Sequence, residues 1–177
     1  LFNNISNSEF EGKVIVIDGY SVSALMLSHG LAAHEALKNG VSIHDIQKLI
    51  DERNNDNCVL TFIPENLTAL KNGGRISPAI AAIGNMIGLK PLIALTDGAL
   101  VKDSMTRNAK KAFADKLNEV YENHPIEKYD YTVASFDGNE QLVNFVVKHI
   151  ETKFESYKVE VQPIAINVCA HCGPGTI

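Results

Sequence analysis

Short runs of β-branched and apolar residues alternate along this chain with longer stretches of helical periodicity, and that alternation predicts an α/β fold. The expected architecture is part of a parallel α/β layer followed by a second α/β domain, whose mixed or antiparallel sheet is backed by helices. Three observations lead there. KVIVID (13–18) and CVLTFI (58–63) are short strand-like runs separated by two helical stretches. Gly73-Gly74 breaks the chain, and its texture changes beyond that point. Later, a Thr96-Asp97-Gly98 turn joins two further strand-like runs. The chain has 177 residues, 45% of them hydrophobic, enough to build a sizeable core. The expected division is 1–73, the remainder of a first α/β domain, and 74–177, a second domain with its last strand incomplete. Leu1 in the place of a starting methionine, and an end just after a strand and a glycine turn, suggest a fragment of a longer protein.

Each element has a local reason. Ser21 or Ser23 is placed to cap the helix after KVIVID, and Gly40 to end it. Ser42 with Asp45 reads as a capping box for a helix running from Ile43 to about Arg53, with Ile43, Ile46, Leu49 and Ile50 on one face. Pro64 opens a short helix through Leu67 and Leu70 that stops at Asn72-Gly73. Ser77 is a good N-cap, Pro78 suits the first helical position, and the helix Ala79 to Ile87 is apolar almost all round. Lys90–Leu95 and Ala99–Val101 read as strands. A helix follows from about Ser104 to Tyr121, with Arg107, Lys110 and Lys111 on a basic face. Tyr129–Phe136 is a half-buried strand ended by Asp137-Gly138, and Leu142 to Phe154 is an amphipathic helix. Glu160–Val168 reads as a last strand, with Pro163 marking an edge or a bulge.

Charge and composition exclude some functions. The net charge is −5 and the pI is near 5.7, against the basic face that nucleic acid requires. No apolar run approaches the ~18–20 residues that span a bilayer, and none reads as a secretory leader. Three cysteines do not make a disulfide framework, which points to a reduced, cytoplasmic setting. Neither a P-loop, a G-x-G-x-x-G fingerprint nor a G-x-S-x-G elbow is present around any serine, so Ser21 and Ser23 read as caps rather than nucleophiles.

Two constellations carry chemistry. In 73-GGRISPAI-80, Arg75 and Ser77 stand at a helix start behind two glycines. A helix N-terminus offers unpaired N–H groups and a partial positive charge, and the guanidinium adds a fork of donors suited to carboxylate or phosphate. The alternative is that Arg75 pairs with a structural acid while the glycines merely stop a helix. In 169-CAHCGPGTI-177, His171 is expected at a strand end beside a glycine turn, where it can donate to an acid oxygen; the alternative is a histidine packed at a domain edge. Cys169, His171 and Cys172 invite a metal reading but lack the second ligand pair that zinc sites use, so no metal and no cofactor is assigned. A metal-dependent protein built on this cluster is kept only as a minor alternative. The remaining histidines, His29 among them, read as scattered surface or helix residues.

The run LKNGGRISPAIAAIGNMIGLKPLIALTDGAL resembles the central signature of the DegV family. His171, Gly173, Pro174 and Gly175 are similar to that family's terminal motif, and VIDGYSVS (16–23) to a third, looser one. The resemblance covers nearly the whole chain. It implies a two-domain α/β protein that binds a long-chain fatty acid in an apolar tunnel. Such a protein presents the acid's carboxylate to a separate fatty acid kinase subunit for phosphorylation, and is not itself an enzyme. By resemblance, Arg75 and His171 fall on the carboxylate-contacting arginine and histidine. Ile76, Ile80, Ile83 and Met86 are candidates for the tunnel lining, with an ordinary core as the alternative for each. Arg107 is the candidate contact with the kinase. The family's first third, which supplies head-group hydroxyls and part of a sheet, has no counterpart here. An enzyme acting on a small phosphate or carboxylate at the Arg75 anion site is the alternative function.

Overall fold

The computed structural model describes residues 14–65, 67–76, 88–123 and 129–177. The expected cap at Ser77, the helix beyond it and the candidates Ile80, Ile83 and Met86 lie outside these residues. In chain order the elements are α1 (Ser23–Lys38), a 3-10 turn (Ile43–Asp45), α2 (Ile46–Asn57), β1 (Leu60–Phe62) and α3 (Leu67–Asn72). They continue with β2 (Lys90–Thr96), β3 (Ala99–Thr106), α4 (Ala109–Asn123), β4 (Thr132–Ser135), α5 (Glu140–Lys153), β5 (Glu160–Pro163) and α6 (Ile166–Cys172).

The fold is α/β, with one antiparallel and one parallel sheet. β1, β2 and β3 form the antiparallel sheet in that order, and β4 pairs in parallel with β5. β1 precedes Gly73-Gly74 and β2 follows it, so this sheet spans that point. Asp97 (φ 50°) and Gly98 (φ 73°) both take left-handed conformations between Thr96 and Ala99. That is the two-residue hairpin turn whose twist matches its strands. A bulge at Leu92/Ile93 skips Asp103, and Asp103 then reaches Lys116 at 3.0 Å.

Several local expectations differ from what is found. Val14–Asp18 joins no ladder among the described residues; instead the Gln47 side chain serves Asp18 as a strand neighbour would. Asp18 N–H donates to Gln47 Oε1 (2.8 Å), and Gln47 Nε2 donates to Asp18 O (3.0 Å). The N-cap of α1 is Val22, without a side-chain bond. Ser23 has φ 54° and its Oγ accepts from Ala165 N, while the Ser21 hydroxyl is buried without a partner among the described residues. Ser42 caps the 3-10 turn by accepting from His44 N. Ser104–Thr106 extends β3 rather than starting a helix, because Lys90–Leu92 offer it cross-strand partners. Asn108 then caps α4, accepting from Lys111 N at 3.1 Å. Arg107 is therefore an exposed turn residue before α4, not part of the helix face. Glu160–Val168 is a strand only to Pro163, and 166–172 is helical, so His171 sits in the last turn of α6 rather than at a strand end.

The core lies between α4, α5 and the strands. Ile63, Leu92, Phe113, Tyr131, Val133, Leu142, Val146, Ile150 and Ile177 form one buried cluster. Leu70, Ile93 and Cys172 form a smaller one beneath α3 and α6. Among the described residues no helix is long and apolar enough to cross a membrane.

Candidate functional site

The two sequence constellations meet. α3 ends in a Schellman motif: Arg75 N–H donates to Leu70 O and Gly74 N–H to Lys71 O, both at 3.0 Å. That motif needs a left-handed residue, and Gly74 supplies it with φ 63°. Gly73 is needed for a different reason. A Cβ there would lie 2.6 Å from Nδ1 of His171, so the imidazole packs directly on the bare Cα. One glycine turns the chain and the next admits the histidine.

His171 is fixed from the other side by the residues that follow it. Gly173 (φ 82°) closes α6 and donates to Cys169 O. Thr176 is buried; its Oγ1 lies 3.0 and 2.9 Å from the carbonyls of Cys172 and Gly173 and accepts from Glu65 N. Ile63 and Ile177 exchange both backbone hydrogen bonds, at 2.8 and 3.4 Å. Gly175 N donates to Phe136 O, and Asn139 Nδ2 donates to Gly175 O. The segment therefore stitches the exit of β1 to the loop after β4.

Arg75 and His171 both line a cavity of about 940 Å³, near the top of the ~300–1,000 Å³ range of small-molecule sites. Its walls are mostly apolar and come from both sides of Gly73: Leu60, Phe62 and Leu70 on one, Leu95, Leu100, Phe113, Val133, Val146 and Ile150 on the other. Ile76 is partly buried against the Leu70 cluster and is not among the lining residues.

Three permanent cations among the described residues line this cavity: Arg53, Arg75 and Lys116. Lys116 bonds Glu119 at 2.9 Å and Asp103 at 3.0 Å. Burial works to lower its pKa, and the two carboxylates outweigh burial and raise it. Arg53 donates from Nη2 to Ser28 Oγ and from Nε to His29 Nδ1. Arg75 is exposed, makes no ion pair with a described residue, and donates from Nη1 only to Gly73 O of its own turn, at 3.3 Å. Of the two arginines, neither of which pairs with a described carboxylate, Arg75 is the more exposed and has only this one bond to its own turn, so its fork of donors is the freer to meet an anion.

Sequence reasoning missed Arg53, Lys116 and His29. Arg53 follows Ile46 and Ile50 at helical spacing, and Lys116 follows Phe113 by three residues; both spacings were available as a signal. His29 is 2% exposed, a buried helix residue. Its Nδ1 accepts from Arg53, so its Nε2–H donates to Asn54 Oδ1 (3.0 Å), and burial lowers its pKa. Cys169 Sγ donates to Ile164 O, and burial pushes the Cys172 thiol up to about 11. No group of His, Cys, Asp or Glu among the described residues is arranged to hold a metal.

A profile of the DegV family matches residues 3–177. This chain belongs to the DegV family. The fatty acid-binding protein of Thermotoga maritima, a DegV relative, is 25% identical over 174 residues, 98% of this chain and 60% of that protein. A DegV family protein from Thermus thermophilus, solved in a study of its fatty acid binding, superposes with a TM-score of 0.77 at 26% identity, over 98% of this chain and 62% of that one. A DegV family protein from Eubacterium eligens, loaded with heptadecanoic acid, shares the fold at a TM-score of 0.74 and 18% identity, over 99% of this chain and 63% of that one. The DegV chain described here thus spans about three-fifths of the length of these relatives.

Proposed function

We propose that this chain carries most of the ligand site of a cytoplasmic fatty-acid-binding protein. A long acyl chain occupies the apolar cavity, along the seam between residues 1–73 and 74–177, and its carboxylate meets Arg75 and His171. The observation that carries this reading is Arg75 itself, an exposed arginine with no carboxylate partner among the described residues and a single bond to its own turn, on the wall of a largely apolar cavity. A carboxylate leaving water for such a place needs its solvation replaced, and a guanidinium does so with paired, charge-assisted bonds. Ser77 adds a donor at the head group, and Ile80, Ile83 and Met86 border the tail, while Ile76 supports the wall from behind Leu70. The chain supplies no catalytic group. It offers the carboxylate to a separate kinase subunit, with the exposed Arg107 at the contact.

Titration with palmitic acid and with hexadecanol tests the head-group assignment. A hydrogen bond to a charged group contributes about 1.5–3 kcal/mol, so Arg75→Ala weakens acid binding roughly 10- to 150-fold. His171→Ala, which removes one ordinary hydrogen bond of about 1 kcal/mol, weakens it less. The alcohol, lacking the carboxylate, is hardly affected by Arg75→Ala. Equal losses for acid and alcohol would make Arg75 structural. The kinase contact has its own measure: Arg107→Glu slows phosphorylation of the bound acid and leaves its affinity unchanged, and unchanged turnover rules the contact out.

A further inference from the structure

We propose that the outer side of α5 carries a second binding site, apart from the apolar cavity, for a small aromatic phosphate of nucleotide size. Successive turns of α5 face two ways. Val146 and Ile150 line the large cavity. Phe145, Lys148, His149 and Lys153 instead line a cleft of about 390 Å³ against Tyr121 of α4, a volume toward the lower end of the ~300–1,000 Å³ range of small-molecule sites.

The floor of the cleft is a continuous row of rings. His149 stacks on Tyr121, with centroids 6.2 Å apart and planes 14° from parallel, and on Phe145, at 6.0 Å and 28°. The rim is cationic. Lys153 Nζ lies 5.9 Å from the Tyr121 centroid and Lys110 Nζ lies 5.6 Å from that of Phe145. Among the described residues no acidic side chain lines the cleft.

An ordinary solvated helix face pairs its lysines with acids one turn away, and much of this protein does so. Lys38, Lys48, Lys111 and Lys116 each hold such a carboxylate. Lys90 and Lys158 reach more distant ones. Lys110, Lys148 and Lys153 make no ion pair with any described residue. In a chain of net charge −5, cations that hold no described carboxylate, gathered above a ring stack, create a local field that draws anions. The rings beneath favour a flat partner, since stacked arrangements gain beyond the area they bury. Phosphate supplies the charge and acceptor oxygens for the lysines, and a base or aryl ring supplies the flat surface.

The test is isothermal titration of the protein with AMP, phenyl phosphate, ribose 5-phosphate and an octaglutamate peptide. AMP and phenyl phosphate bind saturably, and ribose 5-phosphate, with no ring, binds at least tenfold more weakly. The double reversal Lys148→Glu, Lys153→Glu weakens AMP at least tenfold while leaving the melting temperature unchanged. His149→Ala, which opens a gap in the stack, weakens AMP more than ribose 5-phosphate. The proposal is overturned if neither aromatic phosphate saturates at millimolar concentration, if ribose 5-phosphate matches AMP, or if the double reversal leaves AMP affinity intact. Tighter binding of octaglutamate than of AMP also overturns it, and identifies the cleft as a contact for an acidic protein instead.

Discussion

α1 and α5 are helices of similar length, α1 the richer in apolar residues, and they end up in opposite circumstances. α5 buries Leu142, Val146 and Ile150, each with 6% exposure or less, against β4 and α4. α1 leaves Met26 43%, Leu27 52%, Leu31 60% and Leu37 40% exposed, and its one buried residue is His29. The contrast extends to their neighbourhoods. Val14, Ile15, Tyr20, Val41, Ile43 and Val59 are also exposed, whereas exposed large apolar residues are sparse across 90–177. An apolar side chain stabilises a fold only when something removes it from water. Here the region around α5 has its covering layer, and the region around α1 is held by a polar network of His29, Arg53, Asn54 and Ser28.

The largest effect that would sharpen this contrast comes from paired truncations. Ile150→Ala removes a core side chain and lowers stability by about 2–5 kcal/mol. Leu31→Ala, on the open face, changes it by less than about 0.5 kcal/mol. Urea denaturation measures both, and comparable losses would mean that Leu31 is covered in solution.

The next effect lies at the seam between the two regions. Gly73→Ala drives a Cβ into the His171 ring and costs about 1–3 kcal/mol by overpacking. His171→Ala in the same molecule relieves the clash, so the double variant is more stable than the sum of the single changes predicts. Strict additivity would show that the ring does not rest on Gly73.

Smaller again is Tyr121→Phe. The Tyr121 hydroxyl is buried without a partner among the described residues, so its removal raises stability by about 1 kcal/mol, read as a higher urea midpoint. A loss would reveal a partner for that oxygen.

The gentlest perturbation is pH, acting on the α1 side. Burial holds the His29 pKa below its ordinary 6.5, so the folded state favours the neutral ring. The unfolded chain takes up the proton first as pH falls. The stability that His29 contributes is complete above about 6.5 and declines as pH falls through the lowered folded value. The urea midpoint therefore drops on acidification in this window, and His29→Asn removes that component. An equal drop in the variant would assign it to other groups.

Much of the region around α5 was legible in the sequence because local pattern and tertiary setting agree there. The Asp97-Gly98 hairpin, the i, i+4 stripe of α5 and the Asn72-Gly73 stop each require only nearby residues. The misses fall where a distant partner decides. Ser104–Thr106 looks helical until Lys90–Leu92 lies beside it. Val14–Asp18 looks like a strand, yet the Gln47 side chain takes the backbone groups of its last residue, Asp18. INVCAHC reads as strand from its β-branched start, but Cys169 and Cys172 are buried three residues apart while Ile166 is 84% exposed, which is helical spacing. At the site, the Gly-Gly-Arg turn and His171 were both singled out from sequence. Their contact was not visible there, because it is made by a side chain the glycine lacks. Arg53 and Lys116 were overlooked because charged residues on a helix are usually solvated, and only the fold shows these two turned toward a cavity.

The stitch made by Thr176 and Ile177 also has a kinetic meaning. Glu65 and Thr176 are 111 residues apart in sequence, so the bond between them closes one of the longest loops in the molecule. Contacts of such separation form after local hairpins and helices, since chain entropy must be lost before they contribute. Thr176 reaches the carbonyl of Cys172, the residue next to His171, so the backbone beside that histidine is held through a long-range closure rather than by its own helix alone.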